Sequence, residues 1–599
     1  MPVPKKRFSI KALGEELNRW IARMRPSEQT AILYMAVAVG LLAGAGNIAY
    51  RRLIDLVHWA VFETGWDILG LGAGFPFIIF LPLIPTVGAA LLIPLDMLFP
   101  GEVRGYGLPR FLEVVNLKGA VFRARTLIVK SLASAITIGT GGSAGTEGPI
   151  AQIGGTLGSL VGQVLRVGQE RMRTLVACGV AGGIAGTFNA PIAGVFFAHE
   201  IVLLRTFDAT SFTPIVISSG LGALVTRTLE GNRPAFEIPR HYALRSPYEL
   251  IFYTMLGILV ALVAVLFIRS FYGIGDRFQK IEIPERYKPL LGAAMTGAIG
   301  IALPQILGDG YEFVEQALAG NMAGWLLVTL AFAKIVATGL TLGSGNAGGV
   351  FAPSLFIGAM LGGGFGTAVT ALFPHISAGP GVYALVGMGG FLAAATHAPM
   401  TAMFLIFEMT GEYSVILPIM FVSVIGYTVC RYFQRESIDS LELARRGIHL
   451  EEGREVSLLE SIRAGDIMNR EVEVIHEGTP LRQLLQFIPS SRHVTFPLVD
   501  DQGRLTGILS LQDFREVAYE QGLEDLIVAK ELGTQDVITI FPDQNLRDAL
   551  AKIGYRNIEH LPVVSREDPR KVIGMLSRGD IIAAYNKALI DRSLRASGE

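Results

Sequence analysis

The chain has 599 residues, 51% of them apolar and only 17% charged, with 51 Lys and Arg against 52 Asp and Glu. Soluble domains carry close to a quarter charged residues, so an ordinary soluble protein is excluded, and a net charge of −1 gives no reason to expect a nucleic-acid partner. Only 43 of the charged residues lie between positions 31 and 430, the pattern of a polytopic membrane domain joined to a chemically different remainder.

Residues 1–30 are basic (Lys5, Lys6, Arg7, Lys11, Arg19, Arg23, Arg25), and Leu13, Leu17, Trp20, Ile21 and Met24 recur at helical spacing. An amphipathic cytoplasmic helix is expected rather than a cleaved signal, which needs an apolar core and a small-residue cleavage site. The positive-inside rule then puts the N-terminus in the cytoplasm. Apolar segments follow from Ala31 to Tyr50 and near 76–95, 126–139, 174–204, 213–226, 249–268, 290–306, 324–342, 349–373 and 381–429. Several are short or interrupted by Gly and Pro. Such breaks at membrane depth are tolerated only where backbone is buried in protein or lines a polar cavity, which suggests a transport pathway. Cys178 and Cys430 both sit in apolar runs, so neither a disulfide framework nor a Cys-based zinc site is available, and no metal is expected.

The chain repeats itself. Lys130 to Gly158 lies on Lys334 to Gly362 without a gap at an offset of 204, with 11 of 29 pairs identical, among them Lys130/Lys334, Gly145/Gly349, Pro149/Pro353 and Gly154/Gly358. At offset 208 Ala190-Pro191 meets Ala398-Pro399 and Glu200 meets Glu408. Repeats that each carry a Gly/Pro-interrupted segment at the same place point to a substrate site between half-helices. After Val429 the composition turns charged, with Arg431, Arg435, Arg445 and Arg446, so the C-terminus is expected in the cytoplasm as well. A second repeat, at offset 67, pairs His493/His560, Gly507/Gly574, Leu509/Leu576, Ser510/Ser577 and Asp513/Asp580 and predicts two small α+β modules.

Three elements of the membrane part share one design: Gly105-Tyr106-Gly107-Leu108-Pro109, Gly145-Thr146-Glu147-Gly148-Pro149 and Gly349-Val350-Phe351-Ala352-Pro353. Each sets glycine before a proline suited to the first turn of a helix. A helix start leaves N–H groups unpaired and presents about half a positive charge, which favours an anion. Glu147, a carboxylate in an apolar segment, would compete there as a tethered anion when ionised and let go when protonated. The bland readings are helix breaks that merely permit close packing, and a carboxylate that permanently caps a helix.

These residues resemble the CLC chloride channel/transporter family: G-T-E-G-P at 145–149, G-G-V-F-A-P at 348–353, and Phe188-Asn189-Ala190-Pro191-Ile192-Ala193-Gly194 followed by Glu200. The resemblance covers about 30–450 and implies an all-α, inverted-repeat membrane fold with broken helices. It also implies a homodimer with a separate pathway in each subunit, and termini in the cytoplasm. It makes Glu147 the external gating glutamate. Thr146, Gly148, Val350, Phe351 and Ala352 would line the outer anion site, and Gly105, Tyr106 and Gly107 the inner one.

Three positions depart from the family pattern. The first element usually reads G-S-G-I-P, with Tyr106 here at the serine. In Glu436-Ser437-Ile438-Asp439-Ser440, Asp439 takes the place of the usual central tyrosine of the last pore segment. Tyr106 is expected to supply the phenol from the opposite helix, while Asp439, pore-lining, turns to the cytoplasmic vestibule. The internal proton glutamate of many exchangers aligns with Ile201, one residue after Glu200.

The C-terminal repeat resembles a tandem CBS pair. Gly507 to Asp513 and Gly574 to Asp580 match the stretch in which Ser510, Asp513, Ser577 and Asp580 would hold a nucleotide's ribose; a helix N-cap explains the same residues. No cofactor is required, and a regulatory adenine nucleotide is the one ligand the resemblance suggests. The expected domains are an N-terminal helix (1–30), the membrane transport domain (31–450), a linker (451–461), CBS motifs at 462–525 and 526–590, and a tail (591–599).

Gly343 to Gly348 spells G-x-G-x-x-G without the strand–helix context of a dinucleotide site. His199 and His397 read as packed side chains. Lys130 and Lys334 read equally as anion attractors or as snorkelling lysines. With no Walker A sequence, ATP hydrolysis is not expected, and the chain reads as a transporter rather than an enzyme. The sequence therefore predicts a proton-coupled exchanger of a small anion, chloride first, in a cell membrane. A passive channel, a bicarbonate or nitrate carrier and a non-transporting nucleotide-sensing receptor are the alternatives.

Overall fold

The computed structural model describes residues 28–64, 82–204, 209–232, 236, 246–448, 459, 462–491, 493–513, 524–556 and 558–597. The chain divides into two compact units, Met1–Leu450 and Glu451–Glu599. The amphipathic helix expected over 1–30 lies outside the described residues but for its last three, as does most of the linker.

The first unit is helical and built twice. Its first half runs α1 (Glu28–His58), α2 (Leu83–Leu98), α3 (Leu108–Leu117), α4 (Ala124–Gly139), α5 (Glu147–Val164), α6 (Gln169–Phe188), α7 (Pro191–Phe197) and α8 (Ala209–Glu230). The second half repeats the series as α9 (Glu249–Lys280), α10 (Lys288–Ala302), α11 (Tyr311–Leu318), α12 (Gly324–Gly343), α13 (Phe351–Leu372), α14 (Pro380–Thr396), α15 (Pro399–Thr410) and α16 (Ile416–Phe433), followed by the short α17 (Leu441–Arg445). Among the described residues six helices are long and apolar enough to cross a membrane; they include α1, α8, α9, α12, α13 and α16. On α9 the residues Ile251, Met255, Ile258, Leu262 and Leu266 form an exposed stripe at helical spacing, while Leu256, Val260, Ala264 and Phe267 are buried behind it. An apolar outer face of this kind suits lipid rather than water.

The interruptions fall where the sequence supplies breakers. Asn189 ends α6 in the left-handed conformation (φ 55°) and Pro191 starts α7; His397 (φ 57°) and Pro399 do the same between α14 and α15. Helices α5 and α6 then meet backbone to backbone. A Cβ on Gly154 would lie 2.1 Å from the Gly179 carbonyl oxygen, and one on Gly179 would lie 1.9 Å from that of Gly154. The equivalent pair of the second half, Gly358 and Gly387, is equally intolerant, at 2.6 Å both ways.

Two contacts reveal how the halves are related. Gly145 and Gly349, equivalent by the 204 offset, form an antiparallel bridge, each N–H donating to the other's carbonyl at 2.8 Å. Equivalent residues paired in opposed chain directions are related by a local two-fold axis, as an inverted repeat requires.

The second unit contains α18 (Ala464–Ile467), β1 (Ile475–His476), α19 (Leu481–Phe487), β2 (Thr495–Val499) and β3 (Leu505–Ser510), then α20 (Ala529–Leu532), α21 (Leu546–Arg556), β4 (His560–Val564), β5 (Val572–Ser577) and α22 (Arg578–Ser597). Antiparallel β2–β3 and β4–β5 keep matching register, Phe496 opposite Leu509 and Leu561 opposite Leu576, all buried. The segment leading into each module pairs with the sheet of the other: Asn469 bridges Met575, and Thr534 bridges Ile508.

Candidate functional site

The three Gly/Pro elements converge. Gly145 pairs with Gly349, Tyr106 bridges Gly348, and the Gly105 N–H donates to the Gly345 carbonyl at 3.0 Å. Gly105, at φ 71°, turns the chain left-handed just before α3. The starts of α3, α5 and α13 are thereby laced together in the middle of the membrane unit. Glycine is needed at the crossing: a Cβ on Gly349 would lie 2.8 Å from the Gly148 nitrogen.

Glu147 is fully buried at this crossing. Its Oε2 accepts the Ala352 N–H of α13 at 3.1 Å, and its Oε1 accepts the Tyr311 hydroxyl at 2.5 Å and the Thr146 hydroxyl at 3.1 Å. The Glu147 carboxyl group thus sits at a helix start, a place that favours negative charge. Val350 and Phe351 are buried beside it, the Phe351 ring against Phe197 with centroids 5.4 Å apart.

Glu200 and Glu408 do something different, and they do it for each other. Glu200 accepts the N–H groups of Met400 and Thr401 at 3.0 and 2.6 Å and the Thr401 hydroxyl at 2.7 Å, closing the start of α15. Glu408 accepts the N–H groups of Ile192 and Ala193 at 3.0 and 2.7 Å, closing the start of α7. The repeat-related acids are reciprocal caps. Each holds two backbone N–H groups of the opposite repeat, whereas Glu147 takes one there, that of Ala352. Glu200→Ala and Glu408→Ala are therefore expected to cost about 2 kcal/mol each, seen as a lower apparent Tm of the purified protein. Glu200→Gln should leave any ratio of transported protons to anions intact; a changed ratio would show that Glu200 is more than a cap. Ile201 is buried in the π-helical turn Ala198–Leu203 that continues α7.

Asp439 departs from expectation. It does not turn to the cytoplasmic vestibule: it is only 3% exposed and its Oδ1 accepts the Tyr106 hydroxyl. Among the described residues no cation is ion-paired to it, and the buried carboxylate takes the phenol as its donor. Tyr106 therefore does reach inward, onto this acid. Its ring also lies against α5, Cε2 being 3.7 Å from where a Gly148 Cβ would stand.

Lys130 and Lys334 are held by main-chain carbonyls, and the Lys130 Nζ lies at the inner element, 3.0 Å from where a Gly107 Cβ would stand. Lys334 is fully buried and donates to the carbonyls of Ile306 and Gly308 at 2.9 and 2.8 Å, over the Phe356 ring at 4.9 Å. Lys130 donates to the Arg104 carbonyl at 3.5 Å, in the turn just before Gly105. Each lysine thus holds a turn that leads to a tyrosine at a helix start, Tyr106 before α3 and Tyr311 in α11. Tyr311 is the residue that sequence reasoning missed. Extending the repeat outward lays Gly105-Tyr106-Gly107-Leu108 on Gly308-Asp309-Gly310-Tyr311 at offset 203, which flags that turn as a fourth element. His199 is buried with Nδ1 against the Val195 carbonyl at 3.0 Å, and His397 ends α14 with its ring edge-on to Tyr427.

In the second unit both Ser–Asp pairs are reciprocal helix caps. Ser510 Oγ donates to Asp513 at 2.7 Å and Ser577 Oγ to Asp580 at 2.7 Å, and the Asp513 and Asp580 N–H groups return bonds at 3.3 and 3.0 Å. Among the described residues no group of three or more His, Cys, Asp or Glu side chains could hold a metal.

This architecture has known counterparts. Residues 86–431 match the family described as voltage gated chloride channel, and 464–520 and 529–587 each match the CBS domain. Chloride channel protein CLC-f of Arabidopsis thaliana is 30% identical over an alignment of 632 positions, covering 91% of this chain and 79% of that protein. The H(+)/Cl(−) exchange transporter ClcA of Vibrio parahaemolyticus is 32% identical over 413 residues, covering 68% of this chain and 87% of its own. Among solved structures, a slow cyanobacterial Cl−/H+ antiporter matches with a TM-score of 0.63 at 25% identity, over 69% of this chain and 97% of that one. The chain is thus a multi-pass membrane protein that belongs to the CLC chloride channel/transporter family and carries two CBS domains at its C-terminal end.

Proposed function

We propose that this protein exchanges a small anion, chloride first, for protons, with Glu147 as the gate. The observation that carries the reading is the place of the Glu147 carboxylate: at the start of α13, held by one backbone N–H and two hydroxyls. Ionised, it fills the position an incoming anion needs; protonated, it loses the charge that favours that position and yields it, taking a proton along. The anion would be dehydrated onto peptide N–H groups of α3, α5 and α13 and bound weakly enough to leave. The relatives named H(+)/Cl(−) exchangers support the coupling. Ile201, apolar where the family resemblance expects an internal proton glutamate, favours a passive channel as the second reading. Tyr106 and Asp439 at the inner element keep bicarbonate and nitrate in view as substrates.

The proposal extends to a homodimer with both termini in the cytoplasm, supported by the charged segments flanking the membrane unit. Regulation by an adenine nucleotide on the CBS pair rests on the two Ser–Asp positions alone. The deciding experiment is reconstitution of the full chain in liposomes with an outward chloride gradient, recording chloride and pH together. Proton uptake against its own gradient supports exchange, chloride movement without it supports the channel, and neither movement removes transport.

A further inference from the structure

Among the described buried acids of the membrane unit, Asp439 is the one bonded to Tyr106 of the inner element. Asp96 has Arg104 as a salt-bridge partner, Glu147 accepts the Ala352 N–H at the start of α13, and Glu249 accepts the Ala378 N–H. Asp439 Oδ1 takes the Tyr106 hydroxyl, and its Oδ2 has no hydrogen-bond partner among the described residues. Among the described residues no cation is ion-paired to Asp439: Lys130, whose Nζ lies 3.0 Å from where a Gly107 Cβ would stand, donates to the Arg104 carbonyl. Tyr272 donates to the Ile438 carbonyl at 2.7 Å, and Ser440 occupies Glu436 at 2.6 Å. Arg445 lies beyond the Tyr272 ring, 4.8 Å from its centre, and is paired to Asp276 at 3.1 Å. On the α14 side the contact is the Ala395 carbonyl, which accepts the Ile438 N–H at 3.0 Å. A carboxylate in such a place is costly unless it gains a proton or a full set of donors.

The phenol of Tyr106 has one hydrogen to give. While it goes to Asp439 it is withheld from an anion at the inner element, and the carboxylate charge repels that anion as well. We propose that Asp439 is a second proton-binding acid of the anion pathway, set across Tyr106 from the start of α5: ionised it holds the phenol, and protonated it releases the phenol to the transported anion. The proton comes from the aqueous side and adds to Oδ2; an O–H bond is all that forms, and the acid then becomes a donor itself. Anion binding at the inner end is thereby linked to a proton on Asp439. The inference rests on the transport reading above and supplies an acid that the apolar Ile201 does not.

The test uses the full-length protein carrying Glu147→Gln, so that the outer acid no longer titrates. Chloride is added during calorimetry in buffers of stepped pH, and proton uptake is read in parallel with an indicator dye in weak buffer. Chloride affinity should rise up to about tenfold per unit fall in pH, with up to one proton taken up per chloride. Adding Asp439→Asn should flatten the pH dependence at the high-affinity end. The uptake measurement keeps Asp439 in place and so stands even if that double variant does not fold. Chloride binding without proton uptake, or a pH dependence that survives Asp439→Asn, would overturn the inference and leave the transport reading intact. Absence of chloride binding at every pH would remove both.

Discussion

Glu147→Gln is expected to strip proton movement from anion flux in liposomes: chloride-driven proton uptake should fall at least about tenfold, to the background of empty vesicles, while chloride still crosses. Glutamine has nearly the same shape but only one oxygen, so it can accept from Ala352 or from Tyr311, where the carboxylate accepts from each with a separate oxygen. It cannot shuttle a proton. Bonds to a neutral acceptor are also weaker than bonds to a charged one, about 1 kcal/mol against about 2 kcal/mol each. The amide should therefore yield its place to an anion more readily than the carboxylate does. Parallel chloride-electrode and pH-electrode traces check this, and proton pumping that persists in the variant would refute the assigned role.

Gly154→Leu should have the largest effect on folding. The backbones of α5 and α6 already touch there, so a new Cβ 2.1 Å from the Gly179 carbonyl oxygen meets main chain and not a side chain that could swing away. Overpacking of this kind costs about 3 kcal/mol or more, and the variant is expected to lose the monodisperse peak on size-exclusion chromatography. Gly220→Ala is the control. Gly220 is exposed in α8 with nothing within 4 Å of the new Cβ, so alanine should be neutral or stabilise by about 0.5–1 kcal/mol. Equal yields of Gly154→Leu and wild type would contradict the close crossing.

Much of the site was legible in the sequence because it is written twice. The Gly145/Gly349 and Pro149/Pro353 identities marked the two broken helices that meet, and the lone acid between them marked Glu147. The fate of Asp439 was not legible. Its partner Tyr106 lies 333 residues away, and no local pattern tells a buried acid from one facing a wet vestibule. Glu200 and Glu408 were visible as a pair, but trans-capping depends on a two-fold relation that residue identities do not encode. The Lys130 and Lys334 carbonyl contacts were hidden for a simpler reason: main-chain acceptors are the same at every residue, so a sequence cannot say which carbonyl a lysine finds.

The exchange of carboxylates between α7 and α15 bears on how the chain is made. The acid that closes α7 lies 216 residues downstream of Ile192, while the one that closes α15 is already present when Met400 emerges. During synthesis the first repeat must wait, its α7 donors met by water or by makeshift partners, until the last third of the membrane unit arrives. Insertion into the bilayer can proceed helix by helix. The locking of the two repeats cannot, and a ribosome stalled between α8 and α15 would leave a nascent product that is threaded but not finished.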